Sequence, residues 1–475
     1  MKDVVYAYAQ DEMSQGEYQT ALDTLLSLTD YPAAEEPIRE CRYQLATQAE
    51  ANGQYAKAYA GYADLGEYKD CADKAARFEN EYAEATALLA EGEYDNAKSA
   101  FEALKDYADA EKMAKESVYQ KGEKQLADGQ FDDAKATFES LKDYADAQTM
   151  AKESAYQKGE KLLSSKDYDG AIAAYQAVGD YSDASKKVKE VQHQKGESLI
   201  AAGDYDGAVA YYLSIEAYSW AQEAQYAKGE AMLAADDYDG ATAAYQAAGD
   251  YSDASTKAKE AQYQKGESLL ATGDYDGATA AYQAVGNYSD ASTKAKEAQY
   301  QKGESLLATG DYDGATAAYQ AAGDYGDATT KAKEAQYKKG ESLFATGDYD
   351  GAIAAYRAAG NYSDAATRVK EAQYQKGKAM IAAGDYDGAA AYYLAIKENS
   401  WAQEAQYQKG ESLLANHKER AAVQTFEAIT GYRDALKRSY QIRYQDLSEG
   451  KIAVDDWHTA GLKSDGTVVA TGYND

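Results

Sequence analysis

Paired carboxylates are the residues best suited to chemistry in this sequence: Asp274 and Asp276, within the phrase GDYDGA, return as near copies along most of the chain. A calcium-binding loop takes oxygen ligands at its first, third, fifth and twelfth positions, with glycine at the sixth. Counted from Asp274, the third position is Asp276, but the fourth is Gly277, the fifth Ala278 and the twelfth Val285, so the ligand set fails and no metal is expected. The pair does not suit acid–base catalysis either, which needs two carboxyls in environments distinct enough to separate their pKa values. Copies repeated in successive turns serve capping and solvation instead.

The remaining reactive side chains point the same way. Cys41 and Cys71 lie 30 residues apart and share no metal-ligand spacing with His193, His417 or His458, so they read as small buried residues, the alternative being a disulfide. No glycine-rich phosphate loop, nucleophile elbow or Cys–His pairing occurs, so neither an enzyme nor a cofactor is expected. The one surplus is tyrosine, with 47 residues against 6 Phe and 3 Trp. Tyr275, Tyr282, Tyr300, Tyr312, Tyr319 and Tyr337 are the candidate partner-binding residues, because tyrosine is favoured at interfaces. The competing reading packs these rings between structural elements with their hydroxyls at the edge.

What must position these side chains is a unit of 37 residues, whose clearest copies begin at Gly273, Gly310 and Gly347. Within it Ala315, Ala318, Tyr319 and Ala322 recur at helical spacing and predict a short helix with one narrow apolar face. Residues 290–309 carry Ala291, Ala295, Ala298, Gly303, Leu306 and Leu307 around about half a circumference, which predicts a longer helix flanked on both sides. Gly310-Asp311 ends the long helix and offers a cap to the short one, with Asp313 near its positive end. Gly323-Asp324-Tyr325 closes the short helix, and Ser289-Asp290 offers a cap to the long one. Each unit is thus a helical hairpin, and hairpins repeated at this period build a solenoid in which each touches its neighbours.

The pattern resembles the tetratricopeptide repeat, which pairs two antiparallel helices through small residues and one aromatic. Gly266, Ala278, Tyr282 and Val285 match those places, as do Gly303, Ala315, Tyr319 and Ala322. The unit departs from that family in its length of 37, in the displacement of the first large aromatic to Tyr300, and in Asp327 at the place of the closing proline. The extra residues fall between the short helix and the next long one. The resemblance implies an all-α, right-handed superhelical solenoid of about eleven antiparallel helix hairpins over residues 1–445.

A larger repeat lies within the first. Residues 201–226 reappear at 382–407, an offset of 181, and each copy holds one unit of 33 residues rather than 37. Four residues are close to one helical turn, so the face of the helix stays in register while the connection tightens. After Tyr444 the character changes: residues 446–475 read as a separate segment, with β-rich runs on both sides of Asp465-Gly466 that predict a short hairpin. Its phrase WHTAGLKSDGTVVATGYN is similar to the opening of a blade of the RCC1-like β-propellers, through Trp457, His458, Thr459, Leu462, Asp465, Gly466, Thr467, Val468, Gly472 and Asn474. That resemblance implies a partial blade and a chain that continues into a propeller.

Charge bounds the partners. The net charge is -32, from 49 Lys+Arg against 81 Asp+Glu, which argues against nucleic acid and favours a protein or peptide of basic character. No signal peptide or long apolar run is visible, which favours the cytoplasm; the oligomeric state stays open. The expected function is a non-enzymatic scaffold or spacer that binds protein along an acidic, Tyr-bearing repeat surface. Two alternatives stand beside it: a carbohydrate-binding surface protein whose tyrosines stack on sugars, and a regulatory arm for a partner of the propeller.

Overall fold

A computed structural model describes residues 1–448 and the strand residues 452–454, 458–462 and 468–472. Among them are 25 α-helices and one turn of 3-10 helix at Pro32–Ala34. They divide into two compact units, Met1–Ala224 and Gln225–Asp475, and the division falls within the helix Tyr218–Ala234. The first unit runs from the hairpin Lys2–Ser14 and Tyr18–Leu26 to the hairpin Ala184–Ala201 and Tyr205–Ser214. The second begins its first complete short helix at Tyr238–Ala248 and ends its helices at Ala435–Ser448. The helices of both units form arrays of the expected hairpin.

One repeat of the second unit shows why the sequence folds this way. The long helix Ala291–Thr309 stops at Gly310, whose φ of 83° is left-handed and open to glycine at little cost. Asp311 then caps the short helix Tyr312–Ala322, its Oδ1 accepting the Gly314 N–H at 2.9 Å. The short helix buries Ala315, Tyr319 and Ala322, and their core is completed by Ala328, Ala332 and Ala335 of the next long helix, Ala328–Thr346. A hairpin alone would leave half of this core in water, so stacking is obligatory.

The fit inside each hairpin is close. A Cβ built on Gly303 would stand 2.7 Å from Cδ1 and Cε1 of Tyr319, and the same clash recurs between Gly266 and Tyr282 and between Gly340 and Tyr356. The glycine therefore sits where the ring of the short helix lies against the long helix. Tyr282 and Tyr319 are fully buried as a result.

The shortened repeats keep the hairpin and compress its exit. The link between short and long helix is 285–290 in a regular repeat and 396–398 in the shortened one, where Lys397 takes a φ of 65°. Trp401 packs on Tyr393 and Tyr374 with ring centroids 5.4 and 5.1 Å away, the role that Tyr325 fills against Tyr300 in a regular repeat. Trp220 does the same in the first unit, against Tyr212 and His193.

Cys41 and Cys71 are buried free thiols, and burial pushes the Cys41 thiol up to about 11. Beyond the helices, β1 (Ile452–Val454), β2 (His458–Leu462) and β3 (Val468–Gly472) pair antiparallel in the order β1-β2-β3, with Ile452 opposite Gly461 and His458 opposite Gly472. Trp457, Asp465, Gly466, Thr467 and Asn474 of the blade-like phrase lie outside the described residues, as do the side chains of His458, Thr459, Leu462 and Val468.

Candidate partner-binding surface

The sequence-derived tyrosines separate into three groups. Tyr282 and Tyr319, on the short helices, are fully buried and Tyr337 nearly so, which removes their rings from any surface. Tyr300, on a long helix, is half-buried: its ring meets the edge of Tyr319 at 5.5 Å and its hydroxyl donates to Asp327 Oδ1 at 2.6 Å. Tyr275 and Tyr312 open the short helices and are half-buried, with no hydroxyl hydrogen bond among the described residues. The structure thus brings Tyr300 and Tyr319 together and leaves only Tyr275, Tyr300 and Tyr312 with ring surface toward solvent.

Asp327 corrects an expectation about capping. Asp290 and its equivalents do stand at the N-cap of the long helix, but no side-chain cap bond forms. Asp290 instead accepts the Tyr263 hydroxyl at 2.6 Å from the preceding long helix. A phenol close to a carboxylate gives a stronger, charge-assisted bond than a backbone amide cap. The cost falls on the tyrosine: the bond to Asp327, with burial second, pushes Tyr300 up to about 12. Asp290 moves the opposite way, held below the usual carboxylate range chiefly by the Tyr263 hydroxyl.

A second ladder uses the other Asp of the motif. Lys302 Nζ sits 2.7 Å from Asp276 of the preceding hairpin and Lys339 2.6 Å from Asp313, while Gln299 and Gln336 reach Thr279 and Thr316 at 2.9 Å. The Lys302 and Lys339 ammonium groups hold Asp276 and Asp313 below the ordinary range. In the first unit Lys121–Asp95, Lys158–Asp132 and Lys195–Asp169 repeat the contact. The shortened repeat keeps it as Lys409–Asp387, at a separation of 22 residues rather than 26. The four lost residues therefore lie between the partners and leave the junction intact.

A third network crosses the long helices. Glu304 accepts the Tyr319 hydroxyl at 2.5 Å and pairs with Lys331 at 3.4 Å, and Lys331 pairs in turn with Glu334 at 3.4 Å. The signal that identifies these lysines is a cation four residues after the Asp that precedes the long helix, as at Lys257, Lys294 and Lys331. Glu267 and Glu341, at the position of Glu304 in adjacent repeats, are exposed.

Among the described residues no group of three or more His, Cys, Asp or Glu could hold a metal ion. A cleft of the first unit, about 720 Å³, is open and carries Lys98, Glu102, Lys105, Asp106, Glu111 and Lys115 among its lining residues, a mixture of both charges. What the surface offers is a regular array of charged and hydroxyl groups.

Residues 263–329 and 300–366 match one tetratricopeptide-repeat family model, and 371–400 match another. Over residues 263–366 and 371–400 the chain therefore carries tetratricopeptide repeats. No curated protein matches it. Among solved structures, the P58(IPK) TPR domain is 17% identical, with 72% of this chain and 99% of that one covered, at a TM-score of 0.17. Yeast Tom70 is 12% identical over 94% and 96% of the two chains, at 0.15. The Rap protein complexed with competence and sporulation factor is 13% identical over 71% and 99%, at 0.16.

Proposed function

We propose that this chain is a non-enzymatic scaffold whose hairpins bind a protein or peptide segment of basic character. The observation that carries the reading is how its lysines are used. Lys265, Lys302, Lys339 and Lys376 are each paired with an Asp of the preceding hairpin, so the cations hold the array together. The excess of 81 Asp+Glu over 49 Lys+Arg is then left to face solvent. A long acidic surface of repeated shallow contacts gains affinity by avidity and by charge complementarity to a cationic partner.

The burial of Tyr282, Tyr319 and Tyr337 counts against stacking of sugars on a tyrosine ladder. No helix among the described residues is long and apolar enough to cross a membrane. Our reading keeps residues 1–445 as the binding array and 446–475 as a separate partial blade, with the cytoplasm as the compartment. Anisotropy of a fluorescein-labelled peptide of alternating lysine and alanine tests the function. Binding that weakens as salt rises supports it; absence of binding together with salt-insensitive retention of the chain on polysaccharide overturns it in favour of the carbohydrate reading.

A further inference from the structure

Near-identical repeats supply their own internal controls, and one repeat of the first unit breaks the third network in a specific way. Glu160 accepts the Tyr175 hydroxyl at 2.7 Å and pairs with Lys187 at 3.2 Å. Glu230 has the same two partners in Tyr245 and Lys257, and Glu304 has them in Tyr319 and Lys331. Thirty-seven residues before Glu160, Tyr175 and Lys187 stand Glu123, Phe138 and Met150. The carboxylate is kept while its hydroxyl and its ammonium are both replaced. One repeat earlier Thr86, Phe101 and Met113 occupy the three places, so there the acid has gone with its partners.

Glu123 has no hydrogen bond or ion pair among the described residues and is exposed. Its acidic neighbours are occupied: Glu116 accepts Gln120 and the Tyr144 hydroxyl, and Asp146 accepts the Tyr119 hydroxyl. Burial, then the charges of Glu116 and Asp146, raise the Glu123 carboxyl above its ordinary value. In three sibling repeats the carboxylate at this place binds an ammonium on a four-carbon stem. A divalent cation fits less well, since no three carboxylates gather closely enough to chelate one among the described residues.

We propose that the face around Glu123, between the long helices Ala110–Ala127 and Ala147–Ser164, receives a lysine or arginine side chain of a protein partner, in the place that Lys187 fills against Glu160. Half-buried Met150 supplies the apolar surface for the stem of that side chain. The inference rests on the scaffold reading and narrows it to one repeat.

Photo-cross-linking on the full chain tests it, with p-benzoylphenylalanine in place of Met150 and the labelled lysine–alanine peptide as probe. A second variant carries the photoreactive group at exposed Ala127, one turn beyond Glu123, should the first fail to fold. Capture of the lysine peptide should exceed that of a glutamine–alanine peptide by about tenfold, the weight of one charge-assisted contact, and Glu123→Gln should abolish the difference. Equal capture of both peptides, or a preference that survives Glu123→Gln, overturns the site while salt-sensitive anisotropy keeps the scaffold reading. Displacement by calcium at constant ionic strength assigns the carboxylate to a divalent cation and also overturns it. No binding of the peptide anywhere on the chain defeats both.

Discussion

Replacing Gly340 with alanine isolates the contact on which each hairpin depends. The new Cβ would lie 2.7 Å from both Cδ1 and Cε1 of Tyr356 and 2.9 Å from Cγ, whereas carbon pairs rest at about 3.5–4.0 Å. The ring must therefore retreat by about 1 Å, and it has little room to do so. Tyr356 is 1% exposed and its ring is met by the edge of Tyr337 at 5.4 Å, which is itself anchored to Asp364 at 2.5 Å. Overpacking of this kind costs about 1–3 kcal/mol, and alanine returns up to about 1 kcal/mol of helix propensity over glycine. Three ring carbons inside contact distance place the cost at the upper end, for a net loss of about 2 kcal/mol. Because a repeat array opens locally, the loss should appear as roughly thirtyfold faster amide exchange in the helices Ala328–Thr346 and Tyr349–Ala359, with distant repeats unchanged. Position 340 is preferred to 303 for a practical reason. Residues 254–272 and 291–309 have identical sequences, while YKKGESLF at 337–344 is unique and yields assignable peptides in mass spectrometry. Unchanged or slower exchange there would refute the reasoning, since it would mean that the glycine is not what admits the ring.

Three further outcomes follow from the junctions. Tyr319→Phe removes one hydroxyl donated to Glu304 and should cost only about 1 kcal/mol, since Phe138 and Phe426 already fill that place; Tyr319→Ala empties a buried site and should cost about 3–5 kcal/mol, both read from denaturant unfolding. Asp276 and Asp313 are depressed by their lysines, so their contribution is present above the unfolded value of about 3.9 and is lost as pH falls through the lower folded value. Circular dichroism should show acid unfolding begin below about pH 4, with Asp313→Asn making the acid limb shallower. Tyr156, Tyr226 and Tyr300 are raised to about 12 by their Asp partners, so stability is full below the unfolded value of about 10 and is lost as pH rises from there through 12. Absorbance at the tyrosinate band should lag behind that of the chain in denaturant until the array unfolds cooperatively; coincident titrations of the two would contradict the hydrogen bonds.

The hairpin was legible because its determinants are local. The alternation of a short and a long helix, the Gly310 stop and the Asp311 cap all lie within a few residues of one another, and glycine and tyrosine at a fixed spacing already imply close packing. The junctions were not legible from a single repeat. Asp290 has the composition of a helix cap and stands at the N-cap, yet its side chain is taken by Tyr263, 27 residues earlier. Nothing in the local sequence distinguishes a cap from an acceptor for the neighbouring hairpin. The same limit applied to the tyrosines: Tyr300 and Tyr319 both lie on helical faces compatible with an edge, and only the next hairpin decides that one ring is covered.

The information was nevertheless in the chain, at the scale of the repeat rather than of the helix. A Tyr and an Asp 27 residues apart recur at Tyr119–Asp146, Tyr156–Asp183, Tyr226–Asp253 and Tyr407–Asp434. Lysine and Asp hold a separation of 26 until the shortened repeat, where it falls to 22 with the pair intact. A spacing that changes by the length of the deletion marks partners on either side of it, and a spacing that does not change marks partners on one side. Read in this way, the two shortened repeats act as natural deletions that map the junction contacts. The same comparison identifies Glu123, because it keeps the carboxylate while Phe138 and Met150 replace both the tyrosine and the cation that Glu160, Glu230 and Glu304 bind. In an array built by copying, the position where the intramolecular partner has been withdrawn is where an external one can be selected, and this ties the stability of the junctions to the specificity of the surface.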